Sequence, residues 1–423
     1  MPNADLRKRL TRVGIGRRAT RIATAPASSA SNNEYDDAVP IEAAVPGREV
    51  DTPAGSCYLV ETAYGREHRH GSVELGSLLQ RDPRVAAQLA HGGSTNNPDL
   101  ERLVFLDAET TGLAGGVGTL AFLVGAGVFD GDSFHVYQFF LRDPAEEFAL
   151  TAALAALLEG ASGLVTFNGR SFDIPLLEAR FLLARQHFNL RSLLHLDLLH
   201  PARRIWSGRL ESCSLGTLER EVLDVPRAEA DVPGWMIPGI YTDYLRTSDA
   251  RELQRVFYHN AFDILSMVTL LSALLDLFAD PLADERSGAD CLRLAMWFER
   301  APAPEQAEKA YRAALARPLD AAGAAIARRR YAAFLKRRNR RDEAVPLWTQ
   351  LAESAAADPE PFVEIAKYYE WHATDLSRAR LWTQRALAHV AGRPPTWARE
   401  DTTAALEHRL ARIERKLTRE RRA

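Results

Sequence analysis

An apolar run that stops on acids constrains this chain more than any other stretch: Leu103-Val-Phe-Leu-Asp-Ala-Glu-Thr-Thr-Gly-Leu113. Its four leading apolar residues predict a short buried strand, with Asp107 at the strand's end and a glycine-containing turn beyond. Side chains alternate along a strand, so Asp107 and Glu109 point the same way. Two like charges on one side are costly unless a cation neutralises them or one takes a proton. Oxygen donors of this kind favour Mg²⁺ or Mn²⁺. Plain solvation at a strand end accounts for two acids equally well, so the choice turns on further carboxylates downstream.

Two more stretches supply them. Asn168-Gly-Arg-Ser-Phe-Asp173-Ile-Pro follows the apolar strand pattern of 164–167 and leads into a helix through Leu176, Leu177 and Phe181. Alone, Asp173 reads as a helix cap. The Asn-Gly turn before it also brings its carboxylate over the end of a sheet. Tyr258-His259-Asn260-Ala-Phe-Asp263-Ile-Leu-Ser-Met opens a strongly apolar helix reaching about residue 278. His259 and Asp263, four apart, share a helix face. Among Leu, Ile and Val, both need partners. A metal and a water supply them, and so does a buried His–Asp pair in a core.

The 423 residues exceed one ordinary core, so two or three domains are expected. Residues 1–48 read as a disordered basic tail and linker. It either aids solubility or touches phosphate, and an Arg-rich start also suits a transit peptide. Residues 49–280 form one domain. A strand begins near 56–61, His68 and His70 sit in a polar surface loop, and 75–91 is helical. Gly115-Gly-Val-Gly118 is a hairpin turn, strands follow at 119–128 and 133–141, and a helix spans 145–159. Three strands, a helix and a fourth strand predict an α/β fold, a mixed sheet with helices packed on it. Asp197, after an apolar strand, is structural or an outer ligand. Asp231 to Tyr244 is an aromatic loop that either anchors to the body or stacks on bases.

Residues 285–423 turn helical. Tyr311, Trp348 and Trp382, at similar small-residue-rich positions, are 37 and 34 apart. That period resembles tetratricopeptide repeats, whose stacked helix pairs usually bind a protein partner on a concave face. From residue 291 onward 26 lysines and arginines face 17 acids, a net +9, against −12 for the remainder. A nucleic-acid-holding module fits this, with Arg328–Arg330 and Lys336–Arg341 gripping phosphates. So does an ordinary solvated helical surface. Cys57, Cys213 and Cys291 are too scattered for a disulfide framework or zinc knuckle and suit a reducing cytoplasm. No apolar run approaches the roughly 20 residues of a membrane span, and no apolar signal core opens the chain.

As a set, Asp107, Glu109, Asp173 and Asp263 resemble the DEDD exonuclease group of the ribonuclease H-like superfamily. LDAETTGL and TFNGRSFDIP match its first two motifs closely. The third, YHNAFDILS, departs from both common forms, placing His259 four and Tyr258 five residues before the last Asp. That mixture resembles the YprB-type branch, as do HLDLLHPARRIW (195–206), ESCSLGTLERE (211–221) and DVPGWMIPGIYTDYL (231–245). The resemblance covers about 55–278. It implies a ribonuclease H-like sheet and a 3′–5′ exonuclease acting on single-stranded DNA or RNA with two Mg²⁺ or Mn²⁺ ions. Asp107 would bridge the ions, with Glu109, Asp173 and Asp263 completing their ligands. Thr110, Thr111 and Leu113 would line the terminal nucleotide, and Asn168 would hold its turn or touch phosphate. Either His259 or Tyr258 handles the attacking water. An imidazole titrating near about 6.5 suits that better than a phenol near about 10. Two other readings stand beside it: a non-catalytic nucleic-acid-binding or protein-interaction scaffold on the same fold, and a nuclease guided by a partner on the repeats.

Overall fold

Strand alternation sorts the central sheet into an apolar side and a side that carries acids. The computed structural model describes residue 11 and residues 38–90, 97–112, 118–186, 188–227, 231–283, 286–301, 303–354, 358–392 and 397–421. The chain divides into two units after Asp280. The first is built on a seven-stranded sheet. Its strands are β1 (Arg48–Thr52), β2 (Gly55–Gly65), β3 (Leu103–Thr110), β4 (Ala121–Asp130), β5 (Ser133–Phe140), β6 (Gly163–Thr166) and β7 (Leu194–Asp197), in the order β1-β2-β5-β4-β3-β6-β7. β6 and β7 run parallel to β3, and the other neighbours pair antiparallel. The mixed ribonuclease H-like sheet expected from the sequence is therefore present, with α1 (Glu147–Leu158), α2 (Asp173–Leu183), α3 (Leu199–Trp206), α4 (Ile237–Thr247) and α5 (Leu253–Ala279) around it.

β3 runs four residues beyond its apolar run. Its parallel pairing stops at Phe105–Val165, whereas the antiparallel pairing with β4 continues to Thr110. Asp107 is thus not at the strand's end but past the end of its parallel neighbour β6. It lies directly opposite Gly125. Residues opposed across an antiparallel pair share a face, so Asp107, Glu109 and Gly125 all face α5. Val104, Leu106, Val124 and Ala126 face the other way, into the large core.

Gly125 and Gly127 let α5 lie close against β4. A Cβ at Gly125 would stand inside contact distance of Asn260 and Ile264, and one at Gly127 would meet Ile264 and Phe134. α5 begins at Leu253, so the third motif sits in its second turn instead of opening the helix. Leu253, Val256 and Phe257 extend the buried face backwards. At 27 residues, α5 is long and apolar enough to cross a membrane, contrary to the sequence expectation, but 72% of its most apolar window is buried inside the protein.

Other expectations need correction. Residues 38–48 do not belong to a disordered tail. Ile41, Ala44 and Val45 are buried, and the Tyr58 hydroxyl donates to the Val45 carbonyl at 2.8 Å. His70 is buried as well, hydrogen-bonded to Ser266 Oγ at 2.8 Å and edge-on to Phe262. The 75–91 helix splits into a tight turn, Leu75–Gln80, and a helix, Pro83–Leu89, which Asp82 caps by accepting from the Arg84 N–H. Residues 231–244 are only partly a loop. Tyr241 and Tyr244 are buried on α4, and Tyr241 stacks on Phe122 with ring centroids 4.0 Å apart.

The second unit is all helical: α6 (Gly288–Arg300), α7 (Pro304–Ala316), α8 (Ala321–Arg337), α9 (Arg341–Glu353), α10 (Glu360–Trp371), α11 (Leu376–Ala391) and α12 (Trp397–Glu420). Tyr311, Trp348 and Trp382 each sit on the second helix of a pair, with Ala307, Ala344 and Ala379 buried four or three residues earlier. This fits tetratricopeptide-like repeats.

Gly125→Ala is expected to cost about 1–3 kcal/mol, the usual price of overpacking a filled interior. In a unit of this size that lowers the melting temperature by roughly 2–4 °C per kcal/mol. An unchanged thermal transition would show that α5 does not rest on β4 this closely.

Candidate functional site

Three elements bring the acids together. Asp107 and Glu109 come from β3, Asp173 from the first residue of α2 and Asp263 from α5. Burial, then the charges of Asp263 and Asp173, push the Asp107 carboxyl well above the usual carboxylate range. Glu109 is raised in the same way by burial, Asp107, Asp263 and Asp173. Asp173 is pushed up to about 7, by burial first, while its own backbone N–H and that of Ala108 pull the other way. Asp263 is raised by burial although His259 and Arg227 oppose it. Asp107 and Glu109 are thus close enough to Asp173 and Asp263 to feel their charges.

The backbone explains the placement. Asn260, fully buried one turn before Asp263, donates from Nδ2 to Asp107 Oδ2 at 2.8 Å and accepts from Gln138 Nε2 at 2.9 Å. Gln138 also donates to the Phe257 carbonyl, so β5 fixes both the amide and the helix that carries it. Asp173 depends on the turn after β6. Asn168 there adopts a left-handed conformation, φ 64°, which asparagine tolerates. The Asp197 carboxylate accepts from the N–H groups of Asn168 (2.8 Å), Arg170 (3.1 Å) and Leu199 (3.2 Å). Asp197 therefore shapes the turn, and Asp173 is the first residue of α2 and not its cap, a position that Phe172 takes.

His259 and Asp263 share a face as expected, with Nε2 3.8 Å from Asp263 Oδ2. His259 Nδ1 lies 2.8 Å from Asp231 Oδ1. Arg227 Nη1 is also near Nδ1, at 3.2 Å. The closer group is a carboxylate, which only accepts, so Nδ1–H donates to Asp231 and Nε2 is the nitrogen turned toward Asp263. Tyr258 points outward, 37% exposed, against Phe262. The Thr110 hydroxyl donates to the Gly112 carbonyl and that of Thr111 accepts from the Leu120 N–H, so both hold their own turn. Leu113 and most of the 115–118 turn lie outside the described residues.

Sequence reading missed Arg227, Glu219 and Asp231 as a site group. Arg227 spans Glu219 (2.5 Å), Asp231 (2.8 Å) and Asp263 Oδ1 (2.5 Å). Glu219 is fully buried. Burial opposes the Arg227 charge, and its acidic partners more than restore it. Burial likewise works against Asp231, but Arg227 and His259 hold it below the usual range. The traces in the sequence are the motifs 211–221 and 231–245, which contain Glu219 and Asp231, and the spacing by which these flank Arg227 at eight and four residues.

The donor chemistry fits a hard divalent cation: clustered carboxylate oxygens, of which only Asp263 has an ion pair with an arginine or lysine among the described residues. As they stand, no three His, Cys, Asp or Glu side chains among the described residues enclose a single ion. Arg227 occupies one oxygen of Asp263.

With folded-state carboxyls raised, the folded chain holds more protons than the unfolded one, so stability is present below the unfolded pKa and lost as pH rises through the folded values. In chelator, the protein is therefore expected to melt lower near about pH 8 than near about pH 5.5 through these groups, and Glu109→Gln to raise the melting temperature at the higher pH. Calorimetry checks both, and a Gln variant no more stable than wild type at the higher pH refutes the crowding of charge.

Two comparisons bear on this site. A family model described as RNase H superfamily matches residues 104–275, which span β3, α2 and most of α5. The chain is also 31% identical over 364 residues to the "Uncharacterized protein YprB" of Bacillus subtilis (strain 168), covering 85% of this chain and 86% of that protein.

Proposed function

This chain belongs to the YprB-type group of the ribonuclease H superfamily, and from that premise we propose that it is a metal-dependent 3′–5′ exonuclease of single-stranded DNA or RNA. The superfamily fold supports nucleic-acid binding and a nuclease-type activity in general. The observation that carries the finer reading is the convergence of four acids, Asp107, Glu109, Asp173 and Asp263, from three elements, with Asp173 and Asp263 near enough to act on Asp107 and Glu109. Asp107, with β3 behind it and Asn260 fixing one oxygen, would hold both ions, and the other three acids would complete their ligands. Two Mg²⁺ or Mn²⁺ ions at such a site supply charge stabilisation for the attacking and leaving oxygens.

The chain's own residues supply the rest. His259, its Nδ1 held against Asp231, would take a proton from the attacking water at Nε2. Asp231 fixes the ring and its tautomer, and Arg227 ties Asp231 to the buried Glu219. Tyr258 faces away from this group, which favours His259 for the water. Thr110 and Thr111 hold the turn beside the terminal nucleotide, and Asn168 holds the turn before Asp173. We place the protein in the cytoplasm, where its three free thiols suit a reducing medium. The stacked helix pairs fit a protein partner as well.

One observation favours a non-catalytic scaffold: Arg227 already neutralises Asp263. Mn²⁺ titration and digestion of end-labelled DNA and RNA strands separate the two readings. We expect mononucleotide release from the 3′ end, abolished in Asp107→Ala with the far-UV spectrum intact. Hydrolysis undiminished in that variant would falsify the assignment. Asp231→Asn should lower kcat at least about tenfold with KM little changed, because it removes the partner of the base and leaves strand contacts alone.

A further inference from the structure

Within the second unit, four arginines meet around one acid. Arg300 ends α6, Arg330 and Arg337 lie on α8, and Arg338 follows α8 directly; with Glu299 they line a cleft of about 610 Å³. The basic side chains elsewhere on α8 and just past it have partners of their own, Arg328 on Gln350 and Arg341 on Asn339 among them. Arg329 pairs with Asp358, Lys336 with Glu364, and Arg340 with Glu308 and Glu343. The cleft differs. Glu299 accepts from the Tyr311 hydroxyl at 2.5 Å, pairs with Arg337 and lies 3.8 Å from Arg330. Arg300 and Arg338 have no ion pair among the described residues. Arg338 stacks on the buried Phe334 ring at 3.7 Å, which holds its guanidinium in place. Arg330 and Arg337 remain 42% and 54% exposed.

We propose that this cleft is a strand-holding site that binds the phosphate backbone of single-stranded nucleic acid. Guanidinium groups present planar forks that match phosphate oxygens two at a time. Arg330 and Arg337 are seven residues apart, so about 10 Å of helix separates them. Their side chains nevertheless converge on Glu299, and Arg300 and Arg338 add charge along the cleft that a chain of regularly spaced phosphates answers. A surplus of three positive charges over Glu299, in a stretch of chain carrying net +9, suits a polyanion. The occupant rests on the nuclease reading above, but binding here is separate from hydrolysis and is measured separately.

Fluorescence anisotropy of labelled poly-thymidine and poly-uridine strands, with full-length protein in EDTA, tests the site. The combined Arg300→Gln, Arg337→Gln and Arg338→Gln variant should bind about tenfold or more weakly at moderate salt, and the slope of log K against log salt should fall by about 2. Thermal melting checks that it folds, and single Arg337→Gln and Arg338→Gln variants serve if it does not. A control that neutralises Arg415, Arg419 and Arg421 instead should bind like wild type. Equal loss in that control, or no loss in the cleft variant, overturns the proposal. So does displacement of the strand by poly-glutamate at the concentration at which unlabelled strand displaces it, which would make the cleft a site for acidic protein. Hydrolysis of the p-nitrophenyl ester of thymidine 5′-monophosphate with Mn²⁺ should be unchanged in the cleft variant. If wild type fails to hydrolyse it while the binding difference persists, the nuclease reading falls and the cleft stands.

Discussion

Repulsion among four acids at one end of a sheet sets the terms for everything around them. Burial raises all four, and the charges of Asp173 and Asp263 raise Asp107 and Glu109 further, while Asp263 shares Arg227 with Glu219 and Asp231. A fold that only sought stability would not gather them. Clustering of strongly perturbed groups is a mark of functional sites. The surrounding architecture absorbs that cost: a well-filled core on the far face of the sheet, and polar side chains that hold Asp107 and Asp263.

Those supports form two chains of contact. One runs from Gln138 through Asn260 to Asp107 and links the middle of the sheet to the helix laid over it. The other runs from buried Glu219 through Arg227 to Asp231 and Asp263, and reaches His259. The first fixes an oxygen and the second fixes a ring. Together they make the geometry of the site a property of β5, α5 and the stretch between residues 219 and 231, not of the acids alone.

The acids were legible in the sequence because they obey local rules. Asp107 and Glu109 follow the two-residue period of a strand, and His259 and Asp263 the four-residue period of a helix. The sheet, too, could be read from alternating strand and turn signals. What escaped depends on distance or on turn chemistry. Arg227 meets Asp263 across 36 residues, and nothing at position 227 announces it. The stretch 231–244 looked like a loop because Pro233, Gly234, Pro238 and Gly239 punctuate it. Yet Pro238 stands in the first turn of α4, where a missing N–H leaves no hydrogen bond unmade. Pro83, with Asp82 as cap, begins a helix in the same way. Residues 38–48 had the composition of a linker, but Ile41, Ala44 and Val45 find a place in the core.

The bare backbone of β4 beneath α5 has an evolutionary corollary. Positions 125, 127, 260 and 264 share one small volume, because any side chain added on the strand enters space that Asn260 and Ile264 already fill. These four sites are therefore bound to drift in concert: a lineage that gains a methyl at 125 must surrender bulk at 264 or give up the amide at 260, and with it the hold on Asp107.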